Sequence, residues 1–461
     1  MTPSPTPVAR GGRRAAEQRL AAIDPARYGA SRNYLDGAVT RLSPYIRHGV
    51  LTLAEVREAV FERLRAPVEP EPTLQGELFP SASAAWRWSP AQRRAGEKLI
   101  NELGWRDYWQ RLWRQLGDGI WVDREPLKTG HPPEAYAPEL PGDIAAAATG
   151  LACIDGLAAE LSGTGWLHNH ARMWLAAYVV HWRRVRWQAG ARWFLQHLLD
   201  GDPASNNLSW QWVASSFSHK PYIFNRANLE RFSSGRYCLG CPRAGAGCPF
   251  EASYEALQAR LFRPLDSQAE PSSSSTGQTA PTTHQPAEPW AVPPSGPPPR
   301  RPLIWVHGEA LGPANPALRT HPGAPALFVF DAELIAGRTA TTGGTPLAAA
   351  RLRFLRECLA ELPVTVKQGD VAAELLAAAR ASGADGIVTS RAVDPRFLQI
   401  AARLAAVLPL QVLEPEPFVA LPLEGAGAPD LRRFSRYWRV AEPLVWGGFA
   451  GGWAGAGGLS S

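Results

Sequence analysis

Asp200-Gly-Asp-Pro-Ala-Ser-Asn206-Asn-Leu-Ser-Trp210-Gln-Trp212 sets two carboxylates, three carboxamides and two indoles within 13 residues. Ordinary cores are filled with Leu, Ile and Val, so this mixture asks for another explanation. Two Trp flanking a Gln, after an Asp-Gly-Asp turn, suggest an aromatic cofactor with a polar edge and electron carriers beside it. A helix start capped by Asp202, with core indoles following, fits the same residues.

The surroundings narrow the choice. A chain of 461 residues exceeds one ordinary core, so two or more domains are expected. Hydrophobic residues make up 45%, and no apolar run reaches membrane-spanning length. The start, Met1-Thr-Pro-Ser-Pro-Thr-Pro7, lacks the apolar core of a secretory signal, and a cytoplasmic location is expected. A net charge of +6 permits a polyanionic partner without requiring one. Most of the 18 Trp lie between Trp86 and Trp212, which concentrates aromatic chemistry in the first half.

Residues 1–265 read as an all-helical domain. Ser43–Gly49 suits a turn or short helix, and Leu53–Leu64 has helical apolar spacing. Lys98–Leu116 places Leu99, Leu103, Trp105, Trp109 and Trp113 among charges, and Trp166–Trp187 and Gly190–Leu199 continue the helical pattern. Residues 266–300 are rich in Pro and Ser and are expected to form a disordered linker. From 301 to 446 the pattern changes. Short apolar runs at Leu303–His307, Ala326–Phe330, Gly386–Thr389 and Leu410–Leu413 alternate with helical stretches at Pro346–Leu362, Val371–Ser382 and Asp394–Val407. That alternation predicts a doubly wound parallel sheet. The glycine-rich tail, 447–461, is expected to be disordered.

Several motifs of the helical half stand in the order and near the spacing of one known family: Tyr28, Val39-Thr-Arg-Leu-Ser43, Glu102-Leu-Gly-Trp-Arg-Asp-Tyr108, Thr164-Gly-Trp-Leu-His-Asn169-His-Ala-Arg172-Met173 and Asp200–Trp212. With them the chain resembles the FAD-binding domain of the photolyase/cryptochrome family. The second half resembles that family's antenna domain through Leu303-Ile-Trp-Val306, Asn315-Pro-Ala-Leu318, Phe328-Val-Phe-Asp331, Arg351–Leu362 and Gly369-Asp-Val371. The family places the antenna domain first, so the resemblance implies a circular permutation. A long flexible linker lets two such domains dock in the usual arrangement.

The resemblance carries roles to individual residues. Tyr28, Val39, Thr40, Arg41, Leu42 and Ser43 would hold the FAD phosphates, with hydroxyl and amide donors and a cation near a helix start. Val39 replaces the family's usual Thr, and one hydroxyl contact goes with it. Asp200 and Arg172 would pair beneath the flavin ring, where each prevents the other from being a stranded charge. Asp202, next to Gly201, would accept from the ring's polar edge, and Asn206 would face its N5. Trp210 and Trp187 match two members of the family's electron-transfer chain, with Trp121, Trp182 or Trp193 as the third. Glu102, Trp105, Asn169, Met173 and Trp212 match the pocket for a flipped-out cyclobutane pyrimidine dimer. Related enzymes for (6-4) photoproducts carry His where Asn169 and Met173 stand, which favours the cyclobutane dimer. Lys220 and Arg226 are candidates for DNA phosphate contacts.

Of five cysteines, Cys238, Cys241 and Cys248 lie in a Gly/Pro-rich loop, and Cys153 is a natural fourth. Four thiolates suit a [4Fe–4S] cluster or a structural zinc. A branch of the resembled family has a similar cysteine pattern and carries the cluster. Cys358, with Phe354, Leu355 and Leu362, reads as a buried core thiol. In the antenna-type half, His307-Gly-Glu-Ala-Leu-Gly312 replaces the Arg-rich segment expected in the family. The usual inter-domain salt bridge and an antenna chromophore are therefore not expected. The implied activity is blue-light-driven repair of UV-damaged DNA by a monomer, with a cryptochrome-like light sensor as the alternative. A DNA-binding module without photochemistry is a third reading.

Overall fold

The computed structural model describes residues 9–65, 88–245, 247–264, 298–339, 342–423, 425 and 427–447. The expected linker, 266–300, apart from its last three residues, and the expected tail, apart from Gly447, lie outside the described residues.

The first half is built from α1 (Arg13–Ala21), α2 (Pro25–Ser31), α3 (Ser43–Arg47), α4 (Leu53–Arg65), α5 (Pro90–Leu116) and α6 (Gly142–Ala145). Then come α7 (Ala152–Thr164), α8 (Asn169–Ala177), α9 (Trp187–His197), α10 (Pro203–Ala214), α11 (Arg226–Ser233) and α12 (Tyr254–Leu261). Local chemistry sets the main boundaries. Ser89 and Gln92 form a reciprocal capping box at the start of α5, with Pro90 at its first position. Asp202 caps α10 through the Ser205 amide, again with Pro at the first turn. None of the described helices is long and apolar enough to cross a membrane.

The expectation of helix through Trp166–Trp187 needs correction. Helix α8 starts at Asn169, runs into a π-helical turn over Tyr178–Trp182, and stops. Val185 instead forms a parallel bridge with Ala137, and Arg184 takes a left-handed φ of 48°. Backbone pairing of Ala137 with Arg184 and Arg186 thus outcompetes helix continuation.

The second half carries β1 (Pro302–Val306), α13 (Pro316–Thr320), β2 (Ala326–Asp331), α14 (Ala332–Ile335), α15 (Ala349–Leu359), β3 (Thr365–Gly369), α16 (Val371–Ser382), β4 (Gly386–Ser390), α17 (Pro395–Ala405) and β5 (Leu410–Leu413). The strands pair in parallel in the order β3-β2-β1-β4-β5. Alternation sends Leu303, Trp305, Leu327 and Val329 toward α16 and α17. Ile304, Val306, Phe328 and Phe330 join a core that continues through Phe354 into Tyr45, Phe61 and Leu99 of the helical half. One apolar core therefore spans both halves. Cys358 lies in it, 1% exposed.

Two elements extend the expected pattern. Strand β3 is an exposed edge of Thr, Val, Lys, Gln and Gly, with no apolar run to announce it. After β5 the chain returns to the helical half and ends in α18 (Phe434–Gly447), which packs on α5. Tyr108 donates to the Leu431 carbonyl at 2.8 Å, and Tyr437 donates to Asp107 at 2.6 Å.

Candidate functional site

The Asp200-Gly-Asp202 loop is gripped from several helices. Arg172 Nη2, on α8, donates to both Asp200 oxygens at 2.9 and 3.0 Å. Burial alone would raise the Asp200 carboxyl, but Arg172, a hydrogen bond from Ser43 and the charge of Arg106 hold it below the usual range. Asp202, 1% exposed, lies 3.2 Å from Arg106 and accepts from Gln110 and Ser205. Burial opposes its charge as well, and Arg106, Arg47 and Ser205 outweigh it. Arg106 and Gln110 escaped the sequence reading. Their spacing from Glu102, four and eight residues along α5, is the signal that would have found them.

The other expected cofactor residues gather nearby to different degrees. Leu42 is buried, and Val39, Thr40 and Ser43 are half-buried. Arg41 has a left-handed φ of 52° and sets its guanidinium 4.2 Å above the Trp166 ring. It forms no ion pair among the described residues, and burial pushes its pKa down. A half-buried cation that only Glu160 offsets, at longer range, fits a phosphate-bearing cofactor. The Asn206 amide donates to the Ala191 carbonyl at 3.0 Å. Tyr28 sits beside Arg32 and Glu102, and burial raises its phenol.

A cleft of about 760 Å³ opens between Trp105 and Trp109 on α5 and Trp212 on α10. Phe217, Tyr222 and Phe434 complete its aromatic wall, and His219, Lys220 and Arg433 stand at its edge. Phe434 lies flat on Trp105, with centroids 3.8 Å apart and planes 10° from parallel. Trp212 is 39% exposed. Glu102, Asn169 and Met173 do not line this cleft. Glu102 is ion-paired with Arg32, and burial raises its carboxyl. Asn169 is exposed at the start of α8, and Met173 is half-buried one turn on. Arg226 also lies elsewhere, paired with Glu230 and Glu251. Phe434 and Arg433 are cleft residues the sequence did not reveal, since they arrive from the far end of the chain.

Trp210 is buried, packs edge-on against Phe194 at 4.9 Å and leaves its indole N–H without a partner among the described residues. It covers Gly190 so closely that a Cβ there would lie 2.2 Å from the indole. Trp187, three residues before Gly190, donates its N–H to Asp123 at 2.5 Å and stacks on Trp121. Of the three candidates for a third Trp, Trp121 makes this stack. Trp182 packs on Phe224 and Phe250, and Trp193 lies against Phe194 and His197.

Cys153, Cys238, Cys241 and Cys248 line one small cavity, with Tyr237, Phe250 and Arg226 around them. All four thiols are free. Among the described residues no group of three or more His, Cys, Asp or Glu is arranged to hold a metal ion.

At the switch point of the sheet, between β1 and β4, His307 contacts the Ser390 carbonyl and Ser390 donates to Asn315. The halves are joined here by an ion pair after all: Arg47 lies 2.6 Å from Glu309. Asp394, half-buried and pushed up to about 6 by burial and by Glu309, completes this polar group.

Residues 99–234 match the family model described as the FAD binding domain of DNA photolyase. Deoxyribodipyrimidine photo-lyase of Streptomyces griseus is 30% identical over 179 residues, covering 39% of this chain and 32% of that protein. The enzyme of the same name from Escherichia coli (strain K12) is 33% identical over 144 residues, 28% of each chain. A bacterial class III photolyase from Agrobacterium tumefaciens, known from its crystal structure, superposes with a TM-score of 0.38 at 21% identity over 54% of each chain. The chain spans about a third of the length of the curated relatives it matches.

Proposed function

We propose, from the premise that this chain belongs to the photolyase/cryptochrome family, that it is an FAD-dependent enzyme repairing cyclobutane pyrimidine dimers in DNA under blue light. The observation that carries the reading is the aromatic cleft between Trp105 and Trp212. Its volume falls within the ~300–1,000 Å³ of ligand clefts. Flat indole walls suit bases taken out of the stack, and Lys220 at the edge suits a flanking phosphate, while Arg433 beside it pairs with Glu125.

Arg41, Thr40 and Ser43 are assigned to the cofactor's phosphates, and Arg172, Asp200, Asp202 and Asn206 to its ring. When bound, FAD supplies blue-light absorption and an electron lent to the dimer and returned. The protein's own work is to hold that ring against the charged Asp200–Arg172 pair and to keep the lesion's bases between indoles. Glu102, Asn169 and Met173 are assigned to the base edges by the family resemblance alone, since none of them lines the cleft and Glu102 pairs with Arg32.

Two further assignments accompany this reading. The four thiols that line one cavity are given to a [4Fe–4S] cluster, with a structural zinc as the alternative. The order of the halves is read as a circular permutation, and the core shared between them supports docking into one body.

A light sensor is the second reading, favoured by the Trp187–Trp121 stack, which suits electron transfer in a sensor as well. Blue-light repair of an oligonucleotide with a single cyclobutane dimer separates the two readings.

A further inference from the structure

The loop that carries Asp200 and Asp202 is held from below by the far half of the chain. Arg351, on α15, is buried, and its Nη2 donates to the Gly201 carbonyl at 2.8 Å. Its Nη1 donates to the Leu195 carbonyl at the end of α9. Arg47 donates to the same Gly201 carbonyl at 3.1 Å while paired with Glu309 of the α/β half. Around them, Ala348 N–H donates to Gln196 O at 3.0 Å, and His48 sits between the carbonyls of Leu199 and Gly308. The approach leaves no room for a side chain on the loop: a Cβ on Gly201 would lie 2.7 Å from Arg351 Nη1. That is a reason for glycine between the two aspartates that owes nothing to the cofactor.

Arg351 has no ion-pair partner among the described residues. The acids that offset its charge are Asp200, Asp202 and Asp394, acting at longer range. A buried guanidinium that donates through both terminal nitrogens to two backbone carbonyls, its Nε without a partner among the described residues, fixes those carbonyls in space and places a positive charge under a doubly acidic loop.

We propose that Arg351 is a positioning residue for the flavin loop, so that the α/β half serves this protein as a brace for the cofactor site. The inference rests on the assignment of FAD to Asp200 and Asp202. It makes the helical half incomplete without residues more than 100 positions downstream, whatever the α/β half does with light.

The test is titration of the full-length apo-protein with FAD, alongside amide hydrogen exchange across residues 200–206. Arg351→Met weakens FAD binding about tenfold or more, as expected when a charged hydrogen bond ordering a site is lost, and speeds exchange of the first α10 amides. Arg351→Lys, which reaches one carbonyl instead of two, lies between Met and wild type. Cys358→Ala, two turns along the same helix, loosens the shared core but leaves FAD affinity within about threefold of wild type. Wild-type affinity in a folded Arg351→Met protein, or equal losses in Arg351→Met and Cys358→Ala, overturns the brace. If Arg351→Met does not fold, Arg351→Lys decides: intermediate affinity supports the proposal and wild-type affinity overturns it. A wild-type protein that takes up no FAD overturns the cofactor assignment itself, a result distinct from either.

Discussion

Trp121 and Trp187 lie face to face, ring centroids 6.4 Å apart and planes 9° from parallel. Trp187 also donates its N–H to Asp123, so a carboxylate faces the ring that would carry a positive charge after losing an electron. Trp121 is half-buried, with Arg192 4.8 Å from its ring centroid. Trp121→Phe is therefore expected to slow light-driven reduction of the FAD-loaded protein by an external thiol. Trp193→Phe, which removes an indole outside the stack, leaves the rate unchanged. Time-resolved absorption after a laser flash checks both.

The cysteine cavity makes a prediction about metal content. Protein purified without oxygen is expected to hold iron and acid-labile sulfide in about four-to-four ratio, and no stoichiometric zinc. Cys153→Ala and Cys241→Ala, from opposite sides of the cavity in sequence, both lose that iron. Elemental analysis decides, and zinc in place of iron would refute the cluster.

Helix α18 seats Trp438 against the bare backbone of Gly104 on α5. A Cβ on Gly104 would lie 2.1 Å from the indole. Gly104→Ala should cost on the order of 1–3 kcal/mol, the usual penalty for overfilling a packed contact. It should also shift Phe434 from Trp105 and so weaken binding of dimer-containing DNA. Urea unfolding and DNA titration report the two effects separately.

Much of this architecture was legible in the sequence because it rests on local pattern. The strands β1, β2 and β4 are continuous apolar runs, since a parallel sheet is covered on both faces. Strand β3 escaped because its residues face solvent. The Asp200–Asp202 loop and its partners could be read because Asp200, Arg172 and Ser43 belong to short motifs. Arg351, Arg47 and Phe434 could not, because their roles arise only when the two halves meet. Glu102 was legible as a motif residue but not in its pairing with Arg32, which lies in the turn after α2, 70 residues away.

Buried histidines set the acid side of the stability profile. Burial pushes His168 down to about 4, with His170, Arg172 and Arg41 adding to it, and pushes His181 down to about 4 as well. Both stay neutral in the fold while the unfolded chain takes up protons below about 6.5. Their contribution is complete above that pH and is lost as pH falls toward about 4. The expected slope is about 1.4 kcal/mol per pH unit for each group. Asp200 and Asp202, held below the ordinary carboxylate range, add a further loss only at lower pH. Urea denaturation at stepped pH values between 7.5 and 4.5 should show the decline, and a flat profile would contradict it.

The central claim is tested most directly by repair itself. Anaerobically reduced, FAD-loaded protein is mixed with an oligonucleotide holding one cyclobutane dimer and exposed to blue light. Loss of the dimer in light and not in darkness, weakened about tenfold or more by Trp212→Ala or Glu102→Ala, is the expected result. A protein that visibly holds reduced FAD, binds the oligonucleotide and leaves the dimer intact would contradict repair and point to light sensing.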